Sequence, residues 1–262
     1  MKYTLGLVSV SFRNRTPEEI LKAMQAAGLS VVEWGSDVHV PPEKADEIAR
    51  LQSRYGIKCS SYGTYFRIGV TPMAELENYI RAAKKLGTHI LRLWCGHKNG
   101  EEYSPEEKAA LFALCKTAAE IAEKNGVILC MECHSGTYTN AKETAYELMQ
   151  TVDSPHFKMY WQPNQYKTEE ENIAYAKLLS PYVMHLHVFN WKGNEKYPLC
   201  AAAETWQKYL ACFGAEKILL LEFMPDGKLE TLPEEARALR LIASGDKNAF
   251  KKLLLTFQCG FC

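Results

Sequence analysis

IAEKNGVILCMECHSG, residues 121–136, passes from a polar helical segment through Gly126 into an apolar run, and the run gives out at Glu132. A glycine at that junction suits a left-handed helix C-cap, and the apolar run behind it reads as a strand. Glu132 then stands where the strand ends. A buried carboxylate is costly unless it is paired, protonated or bound to a metal, so this stretch predicts both a helix–strand unit and a polar site at its tip.

The same pattern repeats outward in both directions. Gly28, Gly56 and Gly87 stand at equivalent junctions, and apolar runs predict strands at 5–12, 29–35, 58–66, 89–96, 127–134, 157–162, 183–190 and 217–224. Amphipathic segments separate them. In 16–28, Ile20, Met24 and Ala27 share one helical face while Glu18, Glu19 and Lys22 lie elsewhere. "TPEE" at Thr16 and "SPEE" at Ser104 predict capping boxes with proline at the first helical position. Eight strand–helix alternations, with no linker or low-complexity segment, predict an α/β fold: a single (β/α)8 TIM barrel. An open doubly wound sheet is the alternative, but "SVSFRNRTP" follows the first strand where a glycine-rich phosphate loop would stand. We expect one domain over 1–262, with a frayed tail from about 257.

Composition excludes some classes. The 31 basic and 31 acidic residues balance, and no basic run exists, which argues against a nucleic-acid partner. The opening "MKYTLGLVSVSF" is too short an apolar stretch for a membrane span, lacks a small-residue cleavage site, and reads as the first strand. Nine cysteines, an odd number scattered through predicted strands and helices, suit reduced thiols and a cytoplasmic location. The CxxC spacing of Cys259 and Cys262 has no second pair and reads as a terminal thiol pair.

Three further strand ends match Glu132: Gln162 in "FKMYWQPNQ", His187 in "VMHLHVFNW" and Glu222 in "ILLLEFMPD". Strand alternation lets all four point inward at the C-terminal mouth, where TIM barrels place their sites, with His134 above and His185 deeper. Carboxylates, imidazole and an amide oxygen suit a hard or borderline divalent cation, Mn, Mg, Co or Zn. Such a cation could chelate a sugar and stabilise an enediolate while Glu132 and Glu222 move protons. Trp34, Trp94, Trp161 and Trp191, with Tyr62, fall at or near strand ends and could wall a sugar pocket. Asp37 and His39 on the second βα loop are candidate substrate contacts. Arg92, His97, Lys98 and Lys192 could meet an anionic group, so phosphorylation of the substrate stays open.

"VEWGSDVHVPP", "MECHSG", "YWQPNQ", "HLHVFNW" and "LLLEF" together resemble the xylose-isomerase-like TIM barrels, the sugar phosphate isomerase/epimerase group, over nearly the whole chain. The resemblance implies a metal held by Glu132, His187 and Glu222, with the two glutamates also acting as acid and base. It implies a small-molecule sugar or polyol as partner, and barrels of this kind often form homodimers, although no segment marks an interface. The chain departs from the family where Gln162 replaces an aspartate, which puts metal dependence in doubt more than sugar binding. The expected activity is sugar or sugar-phosphate isomerisation or epimerisation through an enediolate. The alternatives are a keto-sugar or inosose-type dehydratase on the same scaffold, or a non-catalytic sugar-binding protein. A nuclease of the same group would need more histidine and acidic ligands than this chain offers.

Overall fold

The computed structural model of the protein describes residues 3–214 and 216–246. Eight parallel strands, β1 (Thr4–Val8), β2 (Val31–Gly35), β3 (Lys58–Ile68), β4 (Ile90–Cys95), β5 (Ile128–Met131), β6 (Phe157–Trp161), β7 (Val183–Val188) and β8 (Ile218–Leu221), close into a barrel. Closure comes from β1, which pairs with β2 on one side and with β8 on the other, Thr4 opposite Ile218 and Leu7 opposite Leu221. Among the described residues eight α-helices wrap the outside: α1 (Pro17–Ala26), α2 (Ala45–Arg54), α3 (Leu76–Leu86), α4 (Pro105–Asn125), α5 (Lys142–Val152), α6 (Glu169–Leu179), α7 (Ala203–Leu210) and α8 (Leu232–Ser244).

The helix ends follow their sequence signals. Thr16 and Ser104 form reciprocal capping boxes with Glu19 and Glu107, and Thr168 forms a third with Glu171. Gly28, Gly56, Gly87 and Gly126 all take positive φ, the conformation a side chain would disfavour. All eight expected strands exist, but several stop early. Residues Ser9–Phe12 wind into a 3-10 turn, and Glu132 and Glu222 sit one position past their strands. They stay in register all the same, because the Glu132 and Glu222 amides donate to Leu93 O at 3.1 Å and Val188 O at 3.0 Å. A short hairpin after β7, pairing Trp191–Lys192 with Glu195–Lys196, has no counterpart in the sequence reading.

Alternation along each strand separates two cores. Val8, Val31, Ile90, Cys130, Tyr160 and Leu220 fill the barrel, while a much larger cluster packs strands against helices. One carboxylate lies within the outer layer. Glu235 of α8 accepts the Leu199 amide on both oxygens, at 3.2 and 3.1 Å. Burial, only partly opposed by that amide, pushes its pKa up to about 7. The seven cysteines among the described residues are free, and Cys259 and Cys262 lie outside those residues. Among the described residues no helix is long and apolar enough to cross a membrane.

Candidate active site and metal centre

Residues on β2 and on β4 to β8, or at the tips of those strands, meet beneath the C-terminal mouth, braced by β3. Arg92 on β4, fully buried, reaches Glu33 Oε1 through Nε at 2.8 Å and Glu132 Oε2 through Nη1 at 2.7 Å. Trp94 Nε1 donates to the same Glu132 oxygen at 2.6 Å, and Ser61 Oγ donates to Glu33 Oε2 at 2.8 Å. Gly63 makes room for this frame. A Cβ there would come within 2.8 Å of both Arg92 Nη2 and Glu33 Oε1.

His187 is enclosed by the carboxylates. Its Nδ1 lies 2.9 Å from Gln162 Oε1, 3.2 Å from Glu222 Oε2 and 3.5 Å from Glu132 Oε1, while Nε2 lies 3.5 Å from Glu33 Oε1. The Gln162 amide is oriented by its own donor, Nε2 to Cys133 O at 3.1 Å, which leaves the carbonyl for His187. Desolvation alone would lower the pKa of His187, but Glu222 and then Glu33 outweigh it and raise the imidazole well above its ordinary value. Desolvation likewise opposes the charge on Glu33 and Glu132, yet Arg92, followed by His187, holds both carboxyls below the usual range. One layer deeper, desolvation lowers His185 to about 4, and neither of its ring nitrogens has a partner.

The donor set fits a divalent cation. Glu132, His187 and Glu222 each present a ligand atom, all within 4.8 Å of one another. Glu222 Oε2 is buried without a hydrogen-bond partner, an unmet need of the kind a cation satisfies. Charge points the same way: Glu33, Glu132 and Glu222 face the single guanidinium of Arg92, leaving an excess of negative charge around His187.

Above this floor lies a cavity of about 600 Å³. Of the residues read from the sequence, Arg92, Trp94, Glu132, His134, Gln162, Trp191 and Glu222 line it, and His187 lies just beneath. Trp34, Tyr62 and Trp161, expected as pocket walls, face the helix layer instead. Trp34 Nε1 donates to Gln52 at 2.8 Å, Tyr62 donates to Val40 O at 2.6 Å, and the Trp161 ring packs on Trp206, Tyr209 and Phe213. Strand parity explains the difference, because each sits next to an inward residue: Glu33, Ser61 or Gly63, and Tyr160 or Gln162. Asp37 and His39 also stay off the cavity. Asp37 pairs with Arg13 at the rim, while His39 Nδ1 and Nε2 approach Ser9 Oγ at 3.0 Å and Phe12 O at 3.3 Å.

The sequence reading missed Glu33, although its signal was present: an acid inside "VVEWG", two residues from inward-facing Val31. It also missed Tyr65 and Phe223, which line the cavity beside Trp94 and Trp191, with ring centroids 5.0 and 4.7 Å apart. Nothing local in the sequence placed those rings.

Comparison with known proteins agrees with this architecture. No curated protein matches the sequence. Among solved structures, the probable 3-DHS dehydratase AsbF from Bacillus anthracis superposes with a TM-score of 0.72 at 16% identity, covering 92% of this chain and 99% of that one. D-psicose 3-epimerase from Clostridium cellulolyticum H10, solved with D-tagatose, gives 0.63 at 13% identity over 92% and 98%. A xylose isomerase-like barrel from Mycobacterium smegmatis, solved with magnesium, gives 0.67 at 13% identity over 92% and 97%. At these identities the likeness is one of fold. The family model for xylose isomerase-like TIM barrels matches residues 21–199, and with the closed eight-stranded barrel this places the chain in that family.

Proposed function

We propose that the protein is a sugar or sugar-phosphate isomerase or epimerase that moves a proton through an enediolate, with a divalent cation held by Glu132, Gln162, His187 and Glu222. The observation that carries this reading is the convergence of those four side chains, with Glu222 Oε2 approached by His187 Nδ1 at 3.2 Å but making no hydrogen bond, under an aromatic-walled cavity. A cation there would polarise a substrate carbonyl and offset the negative charge that develops on its oxygen.

The chain's own groups divide the remaining work. Glu132 has one oxygen committed to Arg92 and Trp94 while the other faces His187, so it serves as a fixed ligand. Its proton-transfer role, expected from the sequence, passes to Glu222. The Glu222 oxygen turned away from His187 takes a proton from a substrate carbon and returns it to the neighbouring one, while the proton of the adjacent hydroxyl passes to the former carbonyl oxygen. This one-base arrangement favours isomerisation over a two-base epimerisation. Trp94, Trp191, Tyr65 and Phe223 offer ring faces to the C–H faces of a sugar. A dehydratase is the second reading, favoured by His134. That imidazole lines the cavity, 5.0 Å from the Trp94 ring, where it could protonate a departing hydroxyl. The free cysteines fit a reducing, cytoplasmic setting.

The test is a panel of aldoses, ketoses and inosose-type polyols in D2O with Mn, Mg, Co or Zn. Isomerisation gives a product of unchanged composition with deuterium beside the carbonyl. Glu222→Gln should slow it by about 10²–10⁴-fold. Loss of water from the substrate would instead select the dehydratase. Sugar binding without isotope exchange anywhere in the panel would mean a binding protein.

A further inference from the structure

An imidazole that serves as a ligand through one nitrogen keeps its hydrogen on the other, and the partner of that hydrogen fixes both tautomer and ring orientation. In His187 the two nitrogens face different surroundings. Nδ1 donates to Gln162 Oε1 and looks toward Glu132 and Glu222, so a cation among these oxygens would take the place of its hydrogen. Nε2 is buried, without a hydrogen-bond partner, and faces the carboxylate of Glu33 at 3.5 Å. That distance is an ion-pair contact rather than a formed hydrogen bond.

Glu33 is built to stay there and to stay an acceptor. It is wholly buried, with one oxygen receiving Ser61 Oγ and the other Arg92 Nε, both at 2.8 Å. The backbone at Gly63 is bare where a Cβ would strike both Glu33 and Arg92. Arg92 also grips Glu132 Oε2, so the same guanidinium that anchors Glu33 turns Glu132 Oε1 toward the cation position. Glu33 itself does not line the cavity among the described residues.

We propose that Glu33 is a positioning residue for the cation site: it holds the hydrogen of His187 on Nε2 and so leaves Nδ1 as the ligand atom. This rests on the cation site proposed above. Glu33 and Arg92 then act as one buried frame, Glu33 setting the His187 ligand atom and Arg92 setting the Glu132 ligand atom. A glutamine at position 33 would keep the shape but could turn its NH2 toward Nε2. That would favour hydrogen on Nδ1, the nitrogen the cation needs bare.

Zinc titration of wild type and Glu33→Gln, followed by calorimetry and by ¹⁵N NMR of the histidine rings, tests this. In wild type with zinc, the His187 Nδ1 resonance should move to the ligated position while Nε2 stays protonated. Glu33→Gln should bind zinc about 10–100-fold more weakly. Equal zinc affinity in the two proteins, or ligation of wild-type His187 through Nε2, overturns the role of Glu33 alone. No zinc binding by wild type overturns the cation site and this inference with it. If Glu33→Gln loses its cooperative melt, the wild-type ring spectrum decides, because a purely structural role would not fix which nitrogen keeps its hydrogen.

Discussion

Gln162 is the residue on which the chemistry of the site turns most directly. Its amide donates to Cys133 O and presents its carbonyl to His187, so it is held as a neutral oxygen ligand beside the imidazole. Replacing it with aspartate adds a formal charge beside Glu132 and Glu222 and removes the bond to Cys133. One extra unit charge near a divalent cation is worth several kcal/mol at an effective dielectric of about 20, before the desolvation penalty. Gln162→Asp should therefore bind Mn or Zn about tenfold more tightly or better. The same variant without metal should be less stable by about 1–3 kcal/mol, from the lost bond to Cys133 and the desolvation of a further carboxylate, which the neighbouring His187 imidazole offsets only in part. Thermal melts with and without metal check both signs. Unchanged affinity would show that the cation does not sit beside residue 162. At this scale the sequence was only half legible. Glu132, Gln162, His187 and Glu222 stood out because polar residues end apolar runs. Trp34 and Trp161 misled because a tryptophan at a strand end fits either side of the wall. Only parity, read from Glu33 and Tyr160, tells which.

Elements carry the second lesson. Helix starts and stops were legible because capping boxes and C-terminal glycines are local, needing no distant partner. Strand ends were less so, since what stops a barrel strand is its neighbour's register, which explains the expected run at 5–12 giving way to a 3-10 turn at Ser9. Glu235 shows how an element can depend on something its own sequence hides. In "LPEEARALRLIAS" periodicity puts Glu235, unlike Glu234, on the face of Leu239 and Ile242, but not the partner that receives it there, the Leu199 amide. Its folded pKa of about 7 lies above the ordinary carboxylate value, so the folded chain binds this proton more tightly than the unfolded one. Its contribution to stability is present in full below about pH 4.5 and is lost as pH rises through about 7. Glu235→Gln keeps an acceptor for Leu199 and removes the titration. Relative to wild type it should be more stable at pH 8 than at pH 5 by about 1–3 kcal/mol. Urea unfolding at the two pH values measures this, and parallel curves for the two proteins would refute it.

At the scale of the whole molecule, eight regular alternations made the barrel legible, because strand count and the absence of a phosphate loop leave few architectures open. The family match and the solved structures agree with that reading. The site was less legible because its floor draws on β2, β4, β5, β6, β7 and β8 together, and no local window contains such a set. Closure of the barrel has a kinetic side as well. β1 finds one of its two neighbours near the far end of the sequence, with the Thr4 amide donating to Lys217 O and Leu7 opposite Leu221. Parallel pairings between segments so distant form slowly, after local helix and strand–helix contacts. In refolding followed by pulsed hydrogen exchange, the β1–β8 rungs should gain protection in the slowest phase, after the amides of α4 and β5. Early protection of β1 against β8 would show that the ring does not close last. Glu222 follows β8 directly and is tied to β7 through Val188 O, so on this order of folding its carboxylate meets His187 as those two strands pair, before the β1–β8 seam is complete. The polar cluster is then older than the ring around it, and the last seam walls the cluster off rather than assembling it.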